Sequence, residues 1–329
     1  MDAWPAEEPM GSLVSNTISR NANATLPDLA AQIASFLALP APEQNADETL
    51  FVFSFGFWDI YTFASLDKEL GENMTDIAVE ELFAQLDILY THFATSLSAS
   101  DLKPQFRILV PKVLDPSLSP GWLSLRPLPL NPSSIAEEQR NAAYLTERWN
   151  LGVENRLDFW LRSSTEVVKS EPGIHKEGVT GFDDASHDTG AGVSADSRRD
   201  DHLSELVEIG AEVLKDAFYY DLPSYLLDIM IEHQLEDEGL QDAEGLGIGE
   251  SPFESVYLPC VREVLEDGDA EEGMKELANG MWECENPEEY LWWDGFGVGS
   301  VAMREVAGLV SREKNLGSRL GMDYDDGGV

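Results

Sequence analysis

The sequence predicts an α/β fold built on a short parallel sheet. Short apolar runs ending at Gly or Pro alternate along the chain with longer stretches whose apolar residues recur at helical spacing. The 329 residues, 43% hydrophobic and 9% aromatic, are enough to bury a core in one domain spanning 1–329.

The first run is Leu50-Phe51-Val52-Phe53-Ser54-Phe55, preceded by mostly polar residues and ended by Gly56. An unbroken apolar run of this length reads as a buried parallel strand handing over to a functional loop. A helix is expected over about 75–95, where Leu82, Phe83, Leu86, Leu89, Tyr90 and Phe93 share a face. Thr75 is placed to cap it, and Asp76 complements its positive end. Phe106-Arg107-Ile108-Leu109-Val110 is the next strand, stopped by Pro111.

Residues 115–132, rich in Pro, Ser and Leu, read as an ordered surface loop. Ser134 with Glu137 forms a capping box for a long helix with the stripe Leu145, Trp149, Val153, Leu157, Trp160. Residues 163–201 carry few large apolar side chains and read as a disordered acidic insertion. A third strand is expected at 217–221 and a helix at 225–234, its Leu226, Leu227, Ile229, Met230 and Ile231 facing the core. A glycine-rich loop at 241–251, a last helix opening at Ser300 and a flexible acidic tail at 317–329 complete the chain.

Sixty-two acidic residues stand against 21 basic ones, for a net charge of −41. Such a field repels phosphate backbones and anionic lipid, so nucleic acid is not an expected partner. No stretch approaches the ~20 apolar residues of a membrane span. The first residues lack a signal-peptide pattern, which gives a cytoplasmic expectation as written, and a secreted one if the N-terminus is incomplete. Asn23-Ala24-Thr25 and Asn73-Met74-Thr75 are formal glycosylation sequons that lean toward secretion. Cys260 and Cys284 lack zinc spacing but can close one loop in an oxidising compartment.

Little else in the sequence carries chemistry. Gly245-Leu246-Gly247-Ile248-Gly249 lacks the strand and lysine of a phosphate loop, and the acidic runs at 263–272 and 323–326 lack calcium-loop spacing. No metal or cofactor is expected. The histidines are His92, His175, His187, His202 and His233; His92 and His233 read as exposed, the others as falling in or beside the insertion. Trp282, Trp292 and Trp293 read as core packing beside the last helix rather than a ligand groove.

Three ordered stretches carry a resemblance. They are Ser54-Phe55-Gly56-Phe57-Trp58-Asp59-Ile60 with the helix ending in Leu82–Tyr90, Leu240-Gln241-Asp242-Ala243-Glu244-Gly245-Leu246-Gly247, and Cys284 through Asp294 with the helix beyond. Together they resemble the fungal GDSL-type (SGNH) ester hydrolases. The resemblance implies a three-layer α/β/α, flavodoxin-like fold whose nucleophile-bearing first strand is missing here; the unpaired sheet edge this leaves is then patched by the N-terminal forty or so residues, covered by a partner, or a sign of an incomplete gene product.

In that family a Gly-Asp-Ser serine attacks the ester, an Asp-x-x-His histidine takes its proton, and aimed donors hold the oxyanion. No Gly-Asp-Ser occurs in this chain. Asp294 matches the terminal Asp, but Gly297 stands at the histidine position. The family's Gly-x-Asn-Asp aligns with Gly56-Phe57-Trp58-Asp59, so Trp58 replaces the asparagine donor; Gly11 matches the oxyanion glycine. The resemblance thus implies a scaffold without ester hydrolase activity. Two alternatives stand beside it. One is an active ester or acyl hydrolase using Ser54 as nucleophile, with Asp59 or Asp294 as acid/base. The other is a binding scaffold whose Phe57, Trp58, Trp292 and Trp293 hold a neutral small-molecule ester, sugar or lipid.

Overall fold

The computed structural model describes residues 12–18, 26–40, 49–96, 105–126, 132–163, 213–239, 252–263, 274–277 and 280–320. The fold is mixed α/β around a small parallel sheet of β1 (Thr49–Val52), β2 (Gln105–Pro111) and β3 (Leu214–Tyr220), in the order β1-β2-β3. β1 and β2 lie on the apolar runs of the sequence, though β1 ends at Val52; β3 starts three residues before the expected 217–221 and ends ahead of Asp221.

The register sorts side chains onto two faces. Phe51, Ile108 and Ala217 stand abreast on one, with Phe106 and Val110 alternating along β2. That face meets the two long helices, α3 (Lys68–Ser96) and α5 (Pro132–Ser163). Phe106, fully buried, touches the rings of Tyr90 and Phe93 from α3 and Trp160 from α5. The stripe read from the sequence, Leu145, Trp149, Val153, Leu157 and Trp160, is the buried face of α5. Ion pairs run along the solvent side of the same helix pair: Arg148 with Asp76 at 2.6 Å, and Arg156 with Glu80. Trp160 donates its indole N–H to Asp87 at 2.7 Å. Apolar contact holds α3 against α5; the exposed ion pairs add at most about 1 kcal/mol each.

A second apolar cluster lies beyond the C-terminal end of β2. Leu114, Leu226 and Ile229 of α6 (Leu222–Asp237), and Ala302 of α7 (Ser300–Leu320), pack on Phe253, Val256, Leu291 and Trp292. The last four are set by β4 (Ser255–Pro259), paired parallel with β8 (Tyr290–Trp292). Beside it, β5 (Val261–Glu263), β6 (Lys275–Glu276) and β7 (Met281–Glu283) form an antiparallel sheet in the order β5-β7-β6. A Cys260–Cys284 disulfide closes that unit across 24 residues.

Several boundaries differ from the sequence reading. α3 begins at Lys68, so Thr75 is internal; it is fully buried and donates to the Gly71 carbonyl at 2.8 Å. The Asn73 sequon therefore sits inside a helix with its threonine inaccessible. α5 begins at Pro132, so Ser134 is helical rather than a cap, and Glu137 faces Arg140 instead. A proline at the first helical position supplies the fixed φ that starts the helix. The 115–132 stretch is not a plain surface loop. It holds a 3₁₀ turn (Pro116–Leu118) and the short helix α4 (Pro120–Leu125), which buries Trp122.

α6 starts earlier than expected because Asp221 caps it, accepting from Ser224 N–H at 3.1 Å. Ile231 is exposed rather than core-facing. α7 continues to Leu320, so 317–320 are helical. α1 (Leu29–Leu37), capped by Asp28, has no counterpart in the sequence reading. The insertion after Ser163, the whole 241–251 loop and the tail beyond 320 lie outside the described residues.

Closing a loop of this length contributes ~3 kcal/mol by restricting the unfolded chain. Cys260→Ser with Cys284→Ser should therefore lower the urea-unfolding free energy by roughly that amount. Equal midpoints and slopes for the wild type and the double variant would show that the crosslink contributes nothing.

Candidate functional site

The turn after β1 builds the site. Gly56 caps α2 (Phe57–Phe63) with φ at +107°, a conformation open to glycine and strained for other residues. A Cβ there would stand 2.3 Å from the Trp149 ring, so the indole of α5 occupies the space under the turn. Both constraints require glycine.

Asp59 follows in the first turn of α2 and is fully buried. Its two carboxylate oxygens share the N–H of Val14, each at 3.2 Å. Leu13 and Val14 are buried as well, and the Leu13 carbonyl accepts from Leu29 N–H at 3.2 Å. Asn16 N–H donates to Asp28 at 3.2 Å. The 12–18 segment is thus clasped between the start of α1 and the start of α2. Burial pushes the Asp59 carboxyl up to about 7, against the opposing effect of the Val14, Asp59 and Gly56 backbone N–H groups.

Trp58 packs its ring into an aromatic cluster. Among the described residues its indole N–H has no acceptor, and its ring packs at 4.7 Å from the ring of Phe296. Phe296 also meets Phe57 at 5.8 Å and Tyr61 at 5.5 Å. Below them Tyr61 packs edge-on to Trp122. Arg126 lies over both rings, 4.1 Å from Trp122 and 4.6 Å from Tyr61, and pairs with Glu138 at 2.5 Å. Gly121 lets the two halves close. Its N–H donates to the Gly295 carbonyl at 2.6 Å, and a Cβ would lie 2.6 Å from the Phe296 ring.

Phe296 is delivered by the turn between β8 and α7. Trp293 N–H donates to the Gly297 carbonyl, and Gly299 N–H to that of Leu291, both at 2.7 Å. Asp294 organises this turn. One of its oxygens accepts from Phe296 N–H at 2.8 Å and from Gly297 N–H at 2.5 Å. One carboxylate oxygen is thus held by its own backbone turn, and Gly297 presents no side chain to the other.

The ring contacts to Phe296 therefore bring the turn of Gly56 and Trp58 against the turn of Asp294 and Gly297, while Asp59 faces Val14. Ser54 is exposed just before this turn and makes no hydrogen bond among the described residues. Gly11 lies outside the described residues, as do His175, His187 and His202. His92 is exposed on α3. His233, expected at the surface, is buried: Nε2 lies 3.1 Å from the Glu254 carbonyl, and Nδ1 3.2 Å from the Asp237 carboxylate. β4 covers it, which its position on α6 could not reveal. Trp292 is core, as read, donating to the Val256 carbonyl at 2.9 Å, whereas Trp293 is exposed.

Sequence reasoning missed Val14, Tyr61, Trp122, Arg126 and Phe296. Gly121 beside Trp122 was the one local signal available, since a glycine in a Pro-Gly-Trp helix start invites a close neighbour. Among the described residues no group of three His, Cys, Asp or Glu is placed to hold a metal, and no helix is long and apolar enough to cross a membrane. No known family model and no curated protein matches the chain.

The folded state holds the Asp59 proton more tightly than the unfolded chain does. Its stabilising contribution is full below the ordinary value of 3.8 and is lost as pH rises toward about 7. At about 1.36 kcal/mol per pKa unit the effect reaches a few kcal/mol. Between pH 5 and 8 the melting temperature of the wild type should fall, and Asp59→Asn should flatten that fall. Parallel curves for the two proteins would remove Asp59 as the titrating group.

Proposed function

We propose that this chain is a catalytically silent relative of the SGNH/GDSL ester hydrolases, a three-layer α/β/α scaffold whose reaction cleft has become packed core. One observation carries the reading. Two stretches far apart in sequence, each resembling a motif of that family, lie against each other: Trp58 beside Asp59 and Phe296 beside Asp294, with ring centroids 4.7 Å apart. The family's chemistry needs a hydroxyl, a base to take its proton and aimed donors for the oxyanion. At these positions stand an indole, a glycine and two carboxylates already engaged by backbone N–H groups.

The parallel order β1-β2-β3, with the motif loop leaving the C-terminal end of β1, supports the same scaffold. Ligands of open parallel sheets sit at that end. Here Phe296 takes the place of a ligand.

A second reading draws on the exposure of Ser54. A serine at the end of a parallel strand is a suitable place for a nucleophile, and Asp59 or Asp294 would have to serve as its base. Asp59 is sealed from solvent and one oxygen of Asp294 is held by its own turn, which weighs against either as that base.

The wild type should turn over short-chain p-nitrophenyl esters no faster than buffer, and Gly297→His alone should not change this. A Cβ at 297 would lie 3.1 Å from Asp294 Oδ1, so the imidazole needs only a small local shift. Turnover by the wild type that Ser54→Ala abolishes would replace the silent reading with the active one.

A further inference from the structure

We propose that the outer edge of β1, together with the exposed face of α1, is a docking surface for a second copy of this chain. The backbone comes first. Phe53 N–H donates to the Leu109 carbonyl at 2.9 Å, and parallel strands turn alternate residues toward a given neighbour. Phe51 and Phe53 therefore face β2, and the N–H and C=O groups of Leu50 and Val52 point outward. No strand pairs with them among the described residues.

The side chains make the same edge apolar. Leu50 is 46% and Val52 60% exposed. On the opposite face of the strand Phe36 of α1 packs edge-on to Phe51 at 5.7 Å, so the edge is flanked by apolar side chains on both faces of the sheet. Phe36 is 48% exposed, and Leu39, just past the helix, 64%. Natural edge strands are guarded by a charge, a proline or a bulge. β1 has none of these.

The charge pattern selects the occupant. Neither 29–40 nor 49–58 contains an Asp, Glu, Lys, Arg or His, in a chain that is 25% charged with a net charge of −41. A basic partner would seek the acidic surface and gain nothing at this neutral patch. A two-fold axis, in contrast, requires a surface complementary to itself, and an uncharged apolar strand edge is one. It would pair β1 antiparallel with its copy and extend the sheet across both protomers, burying Leu50, Val52, Phe36 and Leu39 without desolvating a charge. The chain's own neighbouring segments are poor substitutes for the second copy. Residues 1–11 carry Pro5, Pro9 and two glutamates, 19–25 are polar, and 41–48 hold Pro42 and three acids, so none offers an apolar extended run.

The two net charges repel each other over the range that salt screens. Association should therefore strengthen as ionic strength rises, the reverse of an interface held by ion pairs. Light scattering coupled to size exclusion should show a protein largely monomeric at about 20 mM salt that shifts to dimer by about 500 mM. Val52→Lys should remain monomeric at both, with an unchanged circular dichroism spectrum. If that variant misfolds, Leu39→Lys, on the exposed side beyond α1, should give the same loss of dimer. Three results would overturn the proposal: a monomer at every salt concentration, a dimer that weakens with salt, or a dimer that a folded Val52→Lys or Leu39→Lys variant retains.

Discussion

The Trp149 indole lies where a Cβ of Gly56 would stand, 2.3 Å from its position, and much of the molecule's centre is arranged around that contact. It presses α5 against the β1–α2 turn and holds that turn in a left-handed conformation only glycine tolerates well. The direction of α2 follows. So does the placement of Asp59 facing inward toward Val14, and of Trp58 facing Phe296. Protein interiors are packed as tightly as organic crystals, so a ring in this position leaves no room for a second arrangement of the turn.

Two carboxylates hold backbone. Asp59 fastens the 12–18 segment, and Asp294 fastens the turn that carries Phe296. A buried carboxylate is costly unless hydrogen-bonded, and Val14 N–H supplies a partner to buried Asp59; half-buried Asp294 accepts from Phe296 and Gly297 N–H. The aromatic cluster closes the space between them: Phe57, Trp58, Tyr61, Trp122 and Phe296, with Arg126 laid over two of the rings. The combination fills the space beyond the C-terminal end of β1 with rings while both acids accept hydrogen bonds from backbone.

Periodicity made the sheet and long helices legible in the sequence. Phe51, Phe106 and the Leu145–Trp160 stripe are apolar at the spacings strands and helices impose, and they occupy the core. Helix starts were less legible, because Thr75 and Ser134 have capping chemistry but lie inside helices that tertiary packing extends toward the N-terminus. The β4–β8 pair and the β5-β7-β6 sheet were missed because strands of two to five residues carry too few alternations to register. At the site, the absence of a side chain at Gly297 could be read directly. The Val14–Asp59 contact could not, since it joins residues 45 apart with no local pattern between them. Phe296 was one aromatic among many until the turn around Asp294 aimed it at Trp58.

The central claim is that no hydroxyl in this protein is activated for attack on an acyl or phosphoryl centre. Treating the folded protein with an excess of a fluorophosphonate, which forms a covalent bond with activated serines, and then measuring intact mass tests it most directly. The account predicts an unchanged mass after prolonged exposure. A stoichiometric adduct mapping to one serine, formed by the folded protein and lost on denaturation, would contradict it.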